Sequence, residues 1–277
     1  GTLTPEGSAQ KRMLWHISAL TDPSTAKVAM VLFKNPASHA QLERALSMPN
    51  VYEGVRAVGR LSIVEARLMK DGVASRVTSD VADSLLFCAT QPKSEGGAPW
   101  LTPMQAARGA ETFSRMAPGD AAVVRALMNG AKSAQEVSLI MKAVAARADV
   151  MLGADPKLRQ VALAEVAEFA VDIRGRQPAA LAQMTSLDAL HYDPSSNGWV
   201  FEGGGKQVFT TSCGPTVALI DKAAADPITA FRYRKDPSLF SADQHALMSR
   251  EGARFQRKVE LMSPAEHNAQ MFVNQKF

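Results

Sequence analysis

Ser133-Ala134-Gln135-Glu136-Val137-Ser138-Leu139-Ile140-Met141-Lys142-Ala143-Val144 decides how most of this chain is read. Ser133 and Glu136 have the spacing of a capping box, in which the serine hydroxyl takes the N–H three residues on and the glutamate reaches back. Val137, Leu139, Ile140, Met141 and Val144 then supply an apolar face at helical spacing. The same punctuation recurs on both sides. Thr102-Pro103-Met104-Gln105 sets an N-cap, a first-turn proline and a glutamine three residues after the cap. Asp120 is read as the cap of a helix that Asn129-Gly130 ends. Asp155-Pro156 opens a helix carrying Leu158, Val161, Val166, Phe169 and Ile173 until Gly175. Asp22-Pro23 opens one that Asn35-Pro36 closes, and Ser38 to Met48 makes a short successor. Val51, Val55, Val58, Leu61, Ile63 and Val64 fit helix or short strands. The helix formers Glu65-Ala66-Arg67-Leu68-Met69-Lys70 favour helix. From residue 8 to about 190 the expectation is therefore a stack of short antiparallel helices. The segments share no internal signature, so an irregular bundle is preferred to a solenoid.

Domain boundaries are read from composition. Pro92 to Pro99, with Lys93-Ser94-Glu95-Gly96-Gly97 inside, is the most linker-like stretch. It is expected to separate an N-terminal helical subdomain, 1–92, from a second bundle, 100–190. From Trp199 the reading changes to a hairpin: Trp199-Val200-Phe201, a turn at Gly203-Gly204-Gly205, and Gln207-Val208-Phe209-Thr210. The three glycines read as that turn. A phosphate cradle would need a strand before and a helix after.

The 277 residues allow one large or two ordinary domains, and 46% hydrophobic residues suffice for a packed core. No run approaches the roughly 18 apolar residues that would suggest a membrane span. Gly1-Thr2-Leu3-Thr4-Pro5 is neither a signal peptide nor an initiating methionine, and reads as the start of an excised piece. The net charge of +4 is a mild excess. Basic residues cluster only at Arg232-Tyr233-Arg234-Lys235 and Arg254-Phe255-Gln256-Arg257-Lys258, which read as solvated faces rather than a nucleic-acid surface. Two cysteines make no disulfide framework, and no His/Cys cluster has metal-ligand spacing, so neither metal nor cofactor is expected. Cys88, beside Leu85-Leu86-Phe87, is expected in the core.

Cys213 is different. In Gln207-Val208-Phe209-Thr210-Thr211-Ser212-Cys213-Gly214-Pro215-Thr216, Pro215 suits the first position of a helix running on through Val217, Leu219 and Ile220. Cys213 then sits at that helix's N-terminus, where unpaired N–H groups and the helix dipole favour a thiolate. Gln207 can offer a side-chain N–H to a developing oxyanion. An ordinary cysteine in a partly buried turn is the structural alternative.

The segment resembles the papain-like cysteine peptidase superfamily over about fifteen residues, most closely its bacterial branch in which Cys-Gly-Pro-Thr opens the catalytic helix. It also looks like a segment of bacterial secreted effectors and polymorphic toxins. The resemblance implies a small α+β papain-like portion over 191–277, following the mainly α region. It implies that Gln207 completes the oxyanion hole beside the nucleophile Cys213, with a protein or peptide as substrate, either a separate partner or the rest of a longer chain cut in self-processing. The family also needs a histidine with an Asp or Asn to orient it, and the sequence departs from the pattern there. Only His245 and His267 follow Cys213, and with the sequence stopping at Phe277 it is expected to fall short of the strands that in this superfamily usually carry the base and its partner. His267, in Glu266-His267-Asn268-Ala269-Gln270-Met271-Phe272-Val273, is the first choice, with Asn274 as its one candidate partner. His245 is placed on a solvated helix face behind a Ser241/Gln244 capping box. His191 is placed in a surface turn near Asp193-Pro194-Ser195-Ser196-Asn197-Gly198. Two functions follow: a cysteine-dependent acyl-transfer enzyme, peptidase or deamidase, or a non-catalytic helical interaction region of a larger effector or toxin.

Overall fold

The computed structural model describes residues 5–93, 97–185, 190–193, 198–201 and 213–260, with side-chain surroundings over 7–93, 97–185 and 216–250. Among them the protein is mainly helical, with fourteen α-helices. In order these are α1 (Pro5–Ser18), α2 (Pro23–Phe33), α3 (His39–Leu46), α4 (Val51–Lys70), α5 (Ser79–Thr90), α6 (Pro103–Arg115), α7 (Pro118–Asn129), α8 (Ala134–Ala146), α9 (Ala148–Met151), α10 (Pro156–Ile173) and α11 (Pro178–Met184). Strands β1 (Leu190–Asp193) and β2 (Gly198–Phe201) follow, then α12 (Cys213–Ala225), α13 (Pro227–Lys235) and α14 (Pro237–Glu260).

Residues 1–185 and Ala225–Ile228 form one compact unit. Its centre is α8, on which every residue from Ser138 to Ala145 is buried. A helix enclosed on nearly all sides must be covered by several others, and α8 packs against α5, α6, α7 and α10. Gly109 explains how closely α6 lies on α8: a Cβ there would sit 2.6 Å from the Met141 carbonyl oxygen. Around α1 to α5 a second apolar cluster includes Ile17, Leu32, Leu42, Leu46, Val55 and Leu86. The last carbonyls of α6, which have no partner within the helix, are taken by Arg76. Its Nη1 donates to Phe113, Ser114 and Met116 at 3.1, 3.0 and 2.6 Å.

The caps show how far local sequence governs these helices. Thr102 and Gln105 close the full reciprocal box, Thr102 N–H donating to Gln105 Oε1 at 2.8 Å. Ser133 accepts from the Glu136 N–H at 3.2 Å, but Glu136 does not return the bond to Ser133. Its buried carboxylate instead accepts the N–H of Lys132 at 2.8 Å and of Gly175 at 2.9 Å. Gly175 has φ of 70°, a left-handed conformation that suits glycine. Glu136 thus converts half of a local motif into a tie between α8 and the end of α10.

Asp22 caps α2. Hydroxyls of Ser24 and Thr25 and the Thr25 N–H all donate to it, holding its carboxyl well below the usual carboxylate range. A carboxyl depressed in the folded state contributes stability above its unfolded pKa, near 4, and loses it as pH falls through the lower folded value. The melting-temperature gap between the parent and Asp22→Ala is therefore expected to be constant above about pH 4 and to close in stronger acid. A gap that does not change with acidification would show that the charge plays no part.

Several expectations change. Pro92 to Pro99 does not divide two bundles. Pro92 and Pro99 bridge one another, Lys93 N–H donates to the Ala98 carbonyl, and the helices on either side pack together within one unit. Asp120 is not the cap of α7, whose N-cap is Ala117. It lies in the first turn and faces Arg159 Nε at 3.5 Å and Gln160 Nε2 at 3.3 Å. On α10, Leu158 and Val161 are 56% and 59% exposed, and the buried face runs instead through Ala162, Leu163, Val166, Phe169, Ala170 and Ile173.

The second unit comprises residues 186–224 and 229–277. β1 and β2 are antiparallel, with Leu190 opposite Phe201 and His191 opposite Val200. Trp199-Val200-Phe201 is a strand as expected, but it pairs with residues before it. The 207–210 strand lies outside the described residues. A small apolar cluster joins Leu219 and Ala223 of α12 to Ala230 and Tyr233 of α13 and Phe240 of α14. The Tyr233 hydroxyl donates to Asp243 Oδ2 at 2.5 Å. The Ser241/Gln244 box is absent, because both residues fall inside α14, where Gln244 is fully buried. Asp236 accepts the Ser238 N–H at 3.0 Å instead.

The short crossover at Ala225–Ile228, grouped with the first unit, is held there by charge. Arg147 places Nη1 2.6 Å from Asp226 Oδ1 and Nε 3.0 Å from Glu165 Oε2.

Candidate functional site

α12 begins at Cys213, two residues before Pro215. The proline is nonetheless in the first turn, where backbone N–H groups have no intrahelical acceptor and its missing donor is not needed. Thr216, three residues after Cys213, is buried, and its Oγ1 has no hydrogen-bond partner among the described residues. Of the residues expected around the nucleophile, Gln207, His267 and Asn274 lie outside the described residues. His245 lies on α14 and is exposed. His191 belongs to β1 rather than to a turn.

Cys88 is fully buried on α5, and burial pushes its thiol up to about 12 against a smaller downward pull from the Ser138 hydroxyl. A thiol that ionises so reluctantly is neither nucleophile nor ready metal ligand. Among the described residues, no group of three or more His, Cys, Asp and Glu side chains gathers to hold a metal ion. No described helix is long and apolar enough to cross a membrane.

The first unit carries a surface feature that the sequence reading passed over. A groove of about 680 Å³ runs between α2 and α4 and reaches the first turn of α6. Along α4 its wall is Glu53, Arg56, Gly59, Arg60 and Ile63, positions three or four apart that share one helix face. Along α2 it is Lys27, Val28 and Val31, and at its end Pro103 and Met104. Val31, Ile63 and Met104 are 63%, 48% and 55% exposed. The signal lies in Arg56, Arg60, Ile63 and Arg67, three to four residues apart on one face of α4, a face that mixes charge with one apolar residue and so marks a surface rather than a core.

No protein-family model, curated protein or solved structure matches the chain.

Proposed function

We propose that the chain carries a cysteine-dependent acyl-transfer site, peptidase or deamidase, with Cys213 as nucleophile. The supporting observation is that α12 starts at Cys213, the position at which a helix's unpaired N–H groups and dipole favour a thiolate. In this reading the thiolate attacks the carbonyl carbon of a protein or peptide amide. The oxyanion accepts hydrogen bonds from the Cys213 backbone N–H and the Gln207 side chain. His267 gives a proton to the departing amine, or to ammonia if the amide is a side chain, and takes one from the water or amine that cleaves the thioester. The small α+β papain-like portion over 191–277 belongs to the same proposal, as does a bacterial secreted effector or toxin as its setting.

Mass-spectrometric measurement of iodoacetamide labelling in the folded protein tests it. Cys213 should react faster than Cys88 at neutral pH, and its rate should rise with a midpoint below the roughly 8.5 of a free thiol. His267→Ala should move that midpoint, and His245→Ala and His191→Ala should not. A midpoint at the free-thiol value in the parent, with no change in His267→Ala, would overturn the reading. The exposed groove on the first unit favours a second one, a non-catalytic helical interaction region, and that result would leave it standing.

A further inference from the structure

We propose that the groove between α2 and α4 receives an acidic amphipathic helix from a partner protein. The inference rests on the first unit alone and holds whether or not Cys213 is catalytic.

Shape gives the first argument. A ligand that must be enclosed, such as a fatty acid, needs most of its surface covered. Val31, Ile63 and Met104 instead remain about half or more exposed, so the groove can cover one face of an occupant and leave the other in water. That is the requirement of an amphipathic helix laid in a groove. The floor is low because Gly59 has no side chain where Val28 crosses: a Cβ there would meet Val28 Cγ1 at 2.8 Å. A concavity also suits a convex helix better than a planar lipid surface.

Charge gives the second. Lys27, Arg56 and Arg60 line the groove against one carboxylate, Glu53, whose Oε1 is already 3.1 Å from Arg56 Nη1. Among the described residues, neither Lys27 nor Arg60 forms an ion pair. The first turn of α6, the positive end of that helix, adds to the same sign. Complementary charge at a groove's rim selects the partner and its orientation, so the occupant carries carboxylates beside its apolar stripe. The chain's own last residues do not fit this, since 261–277 contain a single carboxylate side chain, Glu266.

The probes are two synthetic helical peptides of about 18 residues, roughly 27 Å long. Both carry leucines at i, i+3, i+4 and i+7, with glutamates flanking that face in one and lysines in the other. Binding is read by fluorescence anisotropy at low salt and at 0.5 M salt, and by methyl chemical shifts of Ile63 and Met104 in the unaltered protein. The acidic peptide should bind at least roughly tenfold tighter than the basic one, a gap that salt narrows. Lys27→Glu with Arg60→Glu should reverse the preference, and Ile63→Ser should weaken both peptides. All three positions are exposed, and circular dichroism melts report whether the variants fold. If they do not, the methyl shifts in the parent still decide. Equal binding of the two peptides, or shifts that bypass Ile63 and Met104, overturn the proposal. So does binding of phosphatidylserine vesicles but of neither peptide, or a homodimer that Ile63→Ser disperses.

Discussion

Phe169→Ala is expected to lower the unfolding free energy by about 3 to 5 kcal/mol. The ring is 1% exposed and is among the largest fully buried side chains. It stands on the inner face of α10 with Val166, Ala170 and Ile173, and α10 packs on α7, α8 and α9. Removing the ring forfeits its transfer energy and leaves a cavity that four helices would have to move to fill. Val161→Ala on the same helix is the internal control. That side chain is 59% exposed, and its loss should stay within about 0.5 kcal/mol. Urea unfolding of both variants gives the comparison. Similar losses at the two sites would mean that α10 presents a different face to the body of the unit.

Gly109→Ala should also destabilise, against the sign that helix propensity gives. Alanine in a helix interior is favoured over glycine by about 1 kcal/mol. At position 109, however, the new Cβ would lie 2.6 Å from the Met141 carbonyl oxygen, and the obstacle is backbone of the central helix, which cannot swing aside. α6 must lift from α8, and overpacking of this kind costs about 1 to 3 kcal/mol, more than the propensity gain where the obstacle is rigid. Gly119→Ala separates the two effects. A Cβ at Gly119 meets nothing within 4 Å, so that variant should be neutral or slightly more stable. A more stable Gly109→Ala would show that the two helices are not so closely opposed.

The helices were legible because their signals are local. Asp22, Thr102, Ser133 and Asp155 each accept a nearby backbone N–H as their spacing implies. The errors arose where a side chain had a distant partner. Asp120 has the chemistry of a cap but faces α10, and Glu136 serves Gly175, thirty-nine residues away. Leu158 and Val161 have core spacing, yet among the described residues no neighbour buries them, which periodicity cannot report. The linker-like composition of Pro92 to Pro99 describes a loop, while the pairing of α4 with α6 across it decides that one unit continues. For the candidate site, the sequence placed the start of α12 within two residues of its position. It did not reveal the groove, because three exposed apolar residues on three helices form a surface only after folding.

The Arg147–Asp226 pair bears on how this molecule can be dissected. The chain passes into the second unit, returns for Ala225–Ile228, and leaves again. The two units are therefore not two consecutive stretches of gene. A fragment truncated after Thr185 would retain Arg147, which is only 11% exposed, with Glu165 but without Asp226. A mostly buried cation deprived of one carboxylate is a liability in any such fragment. By the same connectivity, a protease nick near residue 186 would leave the downstream piece attached by a segment that belongs to the upstream fold.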